Sequence, residues 1–327
     1  LIPEVPYMRC SLPSAVNFDL WPWAEGVFVQ VKADGTFINV TIRDGGVTIS
    51  SRTGFEWPLE YYDEIAMTFS AFPDGQYHGE MLVMQDGQVL DREIGNGMLN
   101  SVNDGNPFPL GCTPTPVLWN VIPLEAVTRR GKCDTPYKQR FQDLCSAVAE
   151  FGGAIISTIE NHIVHSLDEA YALSAKFIKA KKEGAVVKHP DGPWKDTGSS
   201  GSPDNVKIKM KCPCELKIVG YLPGKGKRAS AFGSLLCRSE CGMLEVGISG
   251  FSDELLAQIN SDRDGWLGRI ITVTFNDITK PKKGTGMYSL YLAQFDDVRP
   301  DRIEADSLER IQQQFQDAKD AVGLIAE

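Results

Sequence analysis

The sequence predicts an α+β protein of two domains, in which a larger domain of sheets and helices precedes a small β-barrel. The 327 residues exceed what one small core usually holds, and 42% of them are hydrophobic, which is enough for two cores. Extended β-branched segments occur in both halves, and segments with helical spacing lie between them. A basic stretch separates the halves near Lys211, so we place the domains at residues 1–210 and 211–327.

The first two predicted strands place a lysine at a strand end. Val27–Val31 and Phe37–Ile42 are rich in β-branched and aromatic residues, and Asp34 and Gly35 form the tight connection between them. Lys32 therefore lies directly after a strand, beside the mouth of a pocket. A protonated lysine is a poor nucleophile, so a lysine that attacks phosphorus needs burial or nearby cations that lower its pKa.

Such cations are available later in the chain. Lys207 and Lys209 alternate on the predicted strand Val206–Lys209, so both ammonium groups project from one face. There they could hold a phosphate or crowd Lys32, although an isolated pair of this kind is more typical of a solvated strand edge. The stretch from Val206 to Ala231 has a single acidic residue and a charge that suits a phosphate backbone. Its basic residues are Lys207, Lys209, Lys211, Lys217, Lys225, Lys227 and Arg228.

The rest of the first domain is predicted from spacing and composition. Helical spacing predicts helices at Tyr137–Phe151 and Ser166–Lys182, and the second of these leads to Glu183. Asp104–Pro116 is rich in Pro and Gly and is therefore predicted to be a surface loop.

Short strands punctuated by turns follow Lys211, which is typical of a small barrel, and the oligonucleotide-binding (OB) fold is the leading candidate. Ser252–Ile259 begins with a capping residue and predicts a short helix. Apolar residues at helical spacing between Leu308 and Val322 predict a helix packed on the barrel. The predicted strands are Glu215–Tyr221, Gly233–Arg238, Ile270–Phe275 and Tyr288–Leu292.

Nine short segments combine charged, aromatic and glycine residues in a fixed order. They are Lys32–Gly35 (KADG), Ser51–Gly54 (SRTG), His78–Val83 (HGEMLV), Leu118–Leu124 (LWNVIPL), Glu183–Lys188 (EGAVVK), Val206–Lys209 (VKIK), Leu216–Gly220 (LKIVG), Ser239–Gly242 (SECG) and Arg299–Arg302 (RPDR).

In this order the segments resemble the motifs of ATP-dependent polynucleotide ligases of the covalent nucleotidyltransferase superfamily, in particular the compact DNA ligases of tailed bacteriophages. The resemblance covers nearly the whole chain. It implies an adenylation (nucleotidyltransferase) domain of ATP-grasp-like antiparallel sheets with helices, followed by an OB-fold barrel. It also implies an enzyme of DNA replication, repair and recombination that acts on nicked duplex DNA, as a monomer, in the cytoplasm of a host bacterial cell.

The reaction implied by the resemblance has three steps. Lys32 attacks the α-phosphate of ATP and becomes joined to AMP through a phosphoramide bond. A 5′-phosphate at the nick then takes the AMP, and the adjoining 3′-hydroxyl displaces it. Asp34, Lys207 and Lys209 are the other catalytic residues that the resemblance implies.

The resemblance also implies the binding residues. Glu80 and Glu183 would hold Mg²⁺, with Mn²⁺ as an alternative metal. The residues implied in binding the nucleotide are Val31, Lys32, Arg52, Glu80, Trp119, Lys188, Lys207, Lys209, Arg299 and Arg302.

The residue types suit these roles, and each has a plainer alternative. Glu80 and Glu183 adjoin apolar strands and could hold a hard cation or a ribose hydroxyl, but a strand-end Glu beside Gly is more often a solvated turn. The glycine beside each glutamate would let the backbone approach a nucleotide. Arg52 could bind phosphate with its planar fork or be a surface arginine. Trp119 could stack on a purine, although a Trp on an apolar strand is usually core.

Two positions depart from the family pattern. Many DNA ligases carry a basic residue two places after the motif glycine, where this chain has Phe37. The last residue of the RPDR segment is Arg302 where the family has Lys, which keeps the charge and changes its geometry. Neither departure affects Lys32.

Composition narrows the class of protein. A formal net charge of −10 and a pI of about 5.0 argue against non-specific coating of DNA. The sequence has no apolar run long enough to cross a membrane. Cys212 with Cys214 and Cys237 with Cys241 form close pairs whose spacing fits no common zinc module, so free thiols in a reducing cytosol are expected.

Two alternatives remain open from the sequence. An RNA ligase or an mRNA-capping guanylyltransferase would share Lys32 and most of the segments, and Phe37 slightly favours it. A non-catalytic protein could use the OB-fold barrel to hold single strands, although Lys32 and the two glutamates argue against this.

Overall fold

The computed structural model describes residues 5–180, 182–224, 232–281, 286–291 and 293–324. The chain forms two compact units, of which the first ends at Ile208 and the second begins at Lys209. Lys225, Lys227 and Arg228 of the predicted basic stretch lie outside the described residues.

The first unit is built from strands and α-helices. Its strands are β1 (Arg9–Ser11), β2 (Val27–Val31), β3 (Thr36–Arg43), β4 (Gly46–Ser50), β5 (Gly75–Gln85), β6 (Gln88–Val89), β7 (Cys112–Ile122), β8 (Lys132–Cys133), β9 (Ser157–Thr158), β10 (Asn161–Val164), β11 (Gly184–Lys188), β12 (Trp194–Lys195) and β13 (Gly201–Lys209). Its α-helices are α1 (Asp63–Phe69), α2 (Arg92–Asn103), α3 (Tyr137–Phe151) and α4 (Leu167–Lys179).

Two sheets organise this unit. The larger has the order β4-β3-β5-β7-β9, with β6 paired to β5, and the other has the order β1-β13-β11-β2-β10. Pairing is parallel between β1 and β13 and between β7 and β9. It is antiparallel along β4-β3-β5-β7 and along β11-β2-β10. A small ladder joins β12 to β8.

Alternation along β2 decides which side chains reach each core. Val27 and Val29 are fully buried in a cluster with Ala170 and Phe177 of α4. Phe28 projects from the opposite face and packs against the core of the larger sheet. Because successive side chains of a strand point to opposite faces, Gln30 lies on the same face as Phe28.

Both predicted helices of the first unit are confirmed. Helix α3 has the predicted bounds. Helix α4 begins at Leu167 because the Ser166 hydroxyl accepts a hydrogen bond from the Glu169 amide, which caps the first turn. It ends at Lys179, three residues earlier than the prediction.

The predicted loop Asp104–Pro116 is wrong in its second half, because β7 already begins at Cys112. Pro114 and Pro116 are tolerated there since β7 pairs with β5 on one side and meets β9 only at Val117 and Leu118. Two prolines two residues apart leave their missing N–H groups on the same, unpaired edge.

The second unit has the strands β14 (Cys212–Pro223), β15 (Phe232–Arg238), β16 (Glu245–Ile248), β17 (Ile270–Phe275), β18 (Asp277–Thr279), β19 (Ser289–Tyr291) and β20 (Gln294–Val298). Its helices are α5 (Asp253–Ser261), α6 (Arg263–Trp266) and α7 (Leu308–Leu324). Five strands form a sheet of order β16-β15-β14-β17-β20, and β18 pairs with β19.

The strands and helices predicted for this unit are confirmed as β14, β15, β17, β19, α5 and α7, except that Leu292 lies outside the described residues. Ser252 caps α5 by accepting the Leu255 amide. Leu308, Ile311 and Phe315 of α7 pack into the core, while the side chain of Val322 is outside the described part.

No closed barrel is found in the described part of the second unit. The ends of the five-stranded sheet are linked there by one isolated parallel bridge, between Ser249 and Gln294. Strand β16 ends at Ile248, so it is too short to continue a ladder along β20.

All eight cysteines have free thiols. Within the described ranges, the helices are too short or too polar to cross a membrane.

Candidate active site

The candidate active site is a cavity of about 440 Å³ in the first unit. Its size is in the usual range for small-molecule sites, roughly 300–1,000 Å³. The predicted residues on its wall are Val31, Lys32, Arg52, Glu80, Trp119 and Lys188. The other predicted site residues, which do not line it, are Asp34, Glu183, Lys207, Lys209, Arg299 and Arg302.

Lys32 is held at the point where β2 and β11 separate. Its amide donates to the carbonyl of Gly184 at 2.8 Å. Its ammonium Nζ lies 2.5 Å from Glu183 Oε2, and the Glu183 side chain is only 9% exposed. The close partner of the lysine is therefore a carboxylate, whereas the sequence suggested crowding by other lysines.

A second cation joins this pair to Asp34. Arg92 of α2 donates through NH1 to Asp34 Oδ1 at 2.9 Å and lies 4.0 Å from Glu183 Oε2. Burial raises the pKa of the Asp34 carboxyl, and the charge of Arg92 opposes that rise. The structure thus brings Lys32, Asp34 and Glu183 into one charged cluster.

Glu80 of β5 contacts the loop after Lys32. Its Oε1 accepts a hydrogen bond from the Gly35 amide at 3.3 Å. Burial raises the pKa of Glu80 to about 7, although Lys32 and the Gly35 N–H both favour the charged form. A cation that enters the cavity beside Glu80 would favour the charged form of this carboxyl further.

The motif glycines serve the fold around the site. A Cβ at Gly79 would lie 2.5 Å from the Val117 carbonyl oxygen, so the neighbouring strand β7 occupies the space that a side chain would need. Gly184 has φ of +140°, a conformation that favours glycine. These contacts explain both glycines without a bound nucleotide.

Trp119 is the extra residue of a β-bulge. His78 pairs with Asn120 and Gly79 with Leu118, so Trp119 has no partner on β5. A bulge leaves the inserted residue out of the ladder and re-aims its side chain, here onto the cavity wall. The Trp119 carbonyl accepts a hydrogen bond from the Tyr137 hydroxyl at 2.8 Å.

The Tyr137 hydroxyl also fixes the amide of Gln30, which lines the cavity. Gln30 Nε2 lies 2.7 Å from this hydroxyl. The hydroxyl has one proton, and a carbonyl can only accept, so that proton goes to Trp119. Gln30 must therefore donate its amide N–H to Tyr137.

Lys188 is a buried cation on the cavity wall. It is 4% exposed, and its Nζ lies 4.4 Å from the centre of the Tyr137 ring. Burial lowers the pKa of Lys188 to about 7, and the nearby charge of Arg140 lowers it further, while Cys10 acts in the opposite direction.

Arg52 and Phe37 contact an N-terminal aromatic residue. The Arg52 guanidinium lies 5.6 Å from the centre of the Tyr7 ring, which also packs edge-on against Phe37 at 4.9 Å. Phe37 lies 5.9 Å from Trp119 as well. The position where many ligases have a basic residue is therefore part of an aromatic wall.

Lys207 and Lys209 lie at the end of β13 and are half-buried, and Ile208 between them is buried. Lys209 is the first residue of the second unit, and within that unit its Nζ donates to Asn276 Oδ1 at 3.3 Å.

Arg299 and Arg302 share a carboxylate of the second unit. Arg299 NH1 lies 2.6 Å from Glu215 Oε1, and Arg302 pairs with Glu215 Oε2. Asp301 also binds Arg299, at 2.7 Å, and Asp306 lies 3.6 Å from Arg302.

Several cavity residues were missed from the sequence. Tyr7 and Cys10 come from the N-terminal segment, and Arg92 and Asn96 come from the first turns of α2. The four-residue spacing of Arg92 and Asn96 was the one available signal, because it places both side chains on one face of a helix.

The fold and the site identify the class of protein. A family model described as the ATP-dependent DNA ligase domain matches residues 23–209, which is more than half of the chain. The chain belongs to this family and is an ATP-dependent DNA ligase. The RNA ligase, capping and non-catalytic alternatives are not favoured.

Individual relatives include phage enzymes. The DNA ligase of Enterobacteria phage T4 is 26% identical over 375 residues, covering 99% of this chain and 74% of that protein. The DNA ligase of Enterobacteria phage T6 is 27% identical with the same coverage. A DNA ligase of Archaeoglobus fulgidus is 26% identical, covering 87% of this chain and 54% of that protein. The predicted resemblance to phage ligases is confirmed.

Solved structures show the same mixed α/β fold. The structure named Pmar-Lig_Pre has a TM-score of 0.69 at 21% identity, covering 91% of this chain and 68% of its own. A structure from a study of minimal Lig E DNA ligases has a TM-score of 0.59 at 17% identity, covering 91% of this chain and 100% of its own.

The buried Lys188 makes the folding stability of the protein depend on pH. Since its pKa is about 7 in the folded chain and about 10.4 in the unfolded chain, the unfolded chain binds more protons between these values. The free energy of unfolding should therefore rise by roughly 2–3 kcal/mol from pH 7 to pH 9.5 on account of Lys188. Lys188→Met should abolish this rise in urea titrations, whereas Lys195→Met, at an exposed position, should keep it. An equal slope in both variants would contradict the assignment.

Proposed function

We propose that this ligase seals nicks between a 5′-phosphate and a 3′-hydroxyl in duplex DNA, and that Lys32 carries the AMP. The observation that carries the proposal is the position of the Lys32 ammonium on the wall of the 440 Å³ cavity, 2.5 Å from Glu183. Residues 1–210 form the adenylation domain in this proposal, and residues 211–327 form an OB-fold domain.

The chemistry follows from the Lys32 amine. In the first step Nζ, after losing a proton, forms a bond to the α-phosphorus of ATP while the bond to pyrophosphate breaks. In the second step an oxygen of the DNA 5′-phosphate attacks the same phosphorus, the N–P bond breaks and Nζ regains a proton. In the third step the 3′-hydroxyl loses its proton and its oxygen bonds to the 5′-phosphorus, while the bond between that phosphorus and the AMP oxygen breaks and AMP leaves. Glu183 Oε2 is hydrogen-bonded to the atom that loses and regains the proton.

Glu80 and Glu183 fit the Mg²⁺ expected for this reaction. Mg²⁺ is usually bound by one or two carboxylates together with substrate phosphates, and the described residues include no group of three or more His, Cys, Asp and Glu side chains that could hold a metal. Both carboxylates adjoin Lys32, one through Gly35 and the other directly. When bound, Mg²⁺ neutralises charge on the phosphoryl oxygens, and Mn²⁺ suits the same ligands.

The cavity wall favours adenine as the base of the nucleotide donor. Trp119 offers an aromatic face for stacking. Because Gln30 must donate its N–H to Tyr137, its carbonyl oxygen Oε1 is the atom left to accept a hydrogen bond. An acceptor on the cavity wall suits a base with an exocyclic amino group, as adenine has.

The remaining cations suit phosphate. Lys188 and Arg52 line the cavity. Lys207 lies on β13, two residues after Asn205, which also lines the cavity. Arg299, Arg302 and Lys209 bind phosphate in this proposal by exchanging their present partners, Glu215 and Asn276, for phosphate oxygens.

The OB-fold assignment is supported by strand order. The sheet β16-β15-β14-β17-β20 together with the parallel bridge between Ser249 and Gln294 matches a five-stranded partly open barrel. Action on nicked duplex as a monomer in the cytoplasm of a host bacterial cell stays an expectation of the resemblance.

The proposal is tested by labelling. Wild-type protein incubated with α-labelled ATP and Mg²⁺ should retain label through denaturing electrophoresis, and a chase with nicked DNA should move the label to DNA and yield joined strands. Lys32→Arg should retain at most about one thousandth of the label, because an arginine cannot lose its proton to become a nucleophile.

A pre-adenylated nick supplies the control for this test. Lys32→Arg should still seal it measurably, since the third step does not use the lysine amine. Absence of label on the wild type, or full label on Lys32→Arg, would contradict the proposal.

Base selection gives a second prediction. Tyr137→Phe removes the hydroxyl that orients Gln30, so the preference for ATP over inosine triphosphate, which has a carbonyl oxygen at the position of the amino group, should fall by about tenfold. The ratio of the two kcat/KM values for lysine adenylylation measures this. Phe141→Leu, which alters a ring packed against Tyr137 without touching its hydroxyl, should leave the ratio unchanged. An unchanged ratio in Tyr137→Phe would refute the role of the hydroxyl.

A further inference from the structure

The first two turns of α2 contact the loop that follows Lys32. Arg92 and Asn96 are four residues apart, on one face of the helix, and both line the cavity. Neither belongs to the nine segments that carry the resemblance to ligases. Their contacts fall on three successive residues, Asp34 and Gly35 of the loop and Thr36, the first residue of β3.

Asn96 holds the loop through both ends of its amide. Its Oδ1 accepts a hydrogen bond from the Thr36 hydroxyl at 2.8 Å, and its Nδ2 donates to the Gly35 carbonyl at 3.4 Å. Glu80 accepts the Gly35 N–H. Gly35 is thus held on both sides, because a side chain of β5 accepts its N–H and a side chain of α2 donates to its carbonyl.

Gly35 has no freedom to adjust its contacts. A Cβ there would lie 2.4 Å from the Met81 carbonyl oxygen and 2.9 Å from Glu80 Cγ, so the loop is packed directly on β5. Backbone packed this closely on one side can move only toward α2, where Asn96 holds it.

Arg92 fixes the carboxylates on either side of Lys32. It donates to Asp34 Oδ1 at 2.9 Å and lies 4.0 Å from Glu183 Oε2, the same oxygen that binds Lys32. One guanidinium therefore fixes Asp34 within the loop and approaches the carboxylate that holds the lysine.

We propose that Arg92 and Asn96 are positioning residues for the first chemical step, in which they hold the loop so that Lys32 Nζ meets the α-phosphorus in line. This inference rests on the proposed function of Lys32. In-line displacement needs accurate alignment, and a displacement of about 1 Å can cost about 100-fold in rate. The third step has a DNA hydroxyl as nucleophile, so it does not depend on where Nζ lies.

The hydrogen bond between Thr36 and Asn96 is the sharpest probe. Thr36→Val removes the hydroxyl and keeps the shape of the side chain, Thr36→Ser keeps the hydroxyl, and Asn96→Ala removes both amide contacts. Gly97→Ala, at the next position of α2 with open space around it, is the matched control. Each variant is assayed with saturating Mg²⁺ for the single-turnover rate of lysyl-AMP formation, the KM for ATP, the rate of sealing a pre-adenylated nick, and thermal unfolding.

The inference predicts a loss confined to the first step. Thr36→Val and Asn96→Ala should slow lysyl-AMP formation by about 10-fold to 100-fold, with the KM for ATP and the sealing of a pre-adenylated nick within about threefold of wild type. Their effects should be less than additive in the double variant. Thr36→Ser and Gly97→Ala should match the wild type, and Arg92→Lys should retain more first-step activity than Arg92→Gln.

Other outcomes overturn it. If Thr36→Val slows lysyl-AMP formation and sealing equally, the contact is merely structural, and if it slows neither, the loop does not need Asn96. A wild type that forms no lysyl-AMP contradicts the proposed function itself, which distinguishes the two failures.

Discussion

The ion pair between Lys32 and Glu183 is the interaction on which the rest of the site depends. It joins the ends of β2 and β11 at 2.5 Å, with the glutamate 9% exposed. Removing the lysine would leave the charge of the buried Glu183 carboxylate without its close partner, which is unfavourable. The backbone reinforces it, since the Lys32 amide bonds to Gly184, whose φ of +140° favours glycine. The pair holds the lysine where a substrate phosphate would have to compete with Glu183 for it.

One irregular strand supplies part of the wall of the cavity that Lys32 lines. The bulge at Trp119 frees a carbonyl from the ladder between β5 and β7, and the Tyr137 hydroxyl takes it up. Through the same hydroxyl, the orientation of Gln30 is fixed. Gly79 allows the bulged strand to approach β5 closely. The bulged Trp119, the Tyr137 hydroxyl and the Gln30 amide are therefore joined by hydrogen bonds along the cavity wall.

Local sequence patterns were sufficient to predict many of the helices and strands and to locate the residues within the motifs. Helix α3 and strand β17 have their predicted bounds because α3 keeps helical spacing and β17 is a run of β-branched and aromatic residues. The loop predicted up to Pro116 was wrong, because prolines usually indicate a loop but are tolerated in a strand whose edge is unpaired, as in β7. Lys32 and Glu183 could be found from order along the chain. Their direct pairing, and the contacts on which the proposed role of Asn96 rests, join elements that sequence spacing does not relate.

We propose that the Lys32–Glu183 pair is the resting state of a lysine that later carries AMP. The most direct test is a crystal structure of the protein after incubation with ATP and Mg²⁺ and removal of pyrophosphate. We expect a covalent bond from Lys32 Nζ to the phosphorus of AMP, the base stacked on Trp119, and a Glu183 carboxylate no longer paired with Nζ. AMP attached to a different residue, or bound without a covalent bond while the 2.5 Å pair persists, would contradict it.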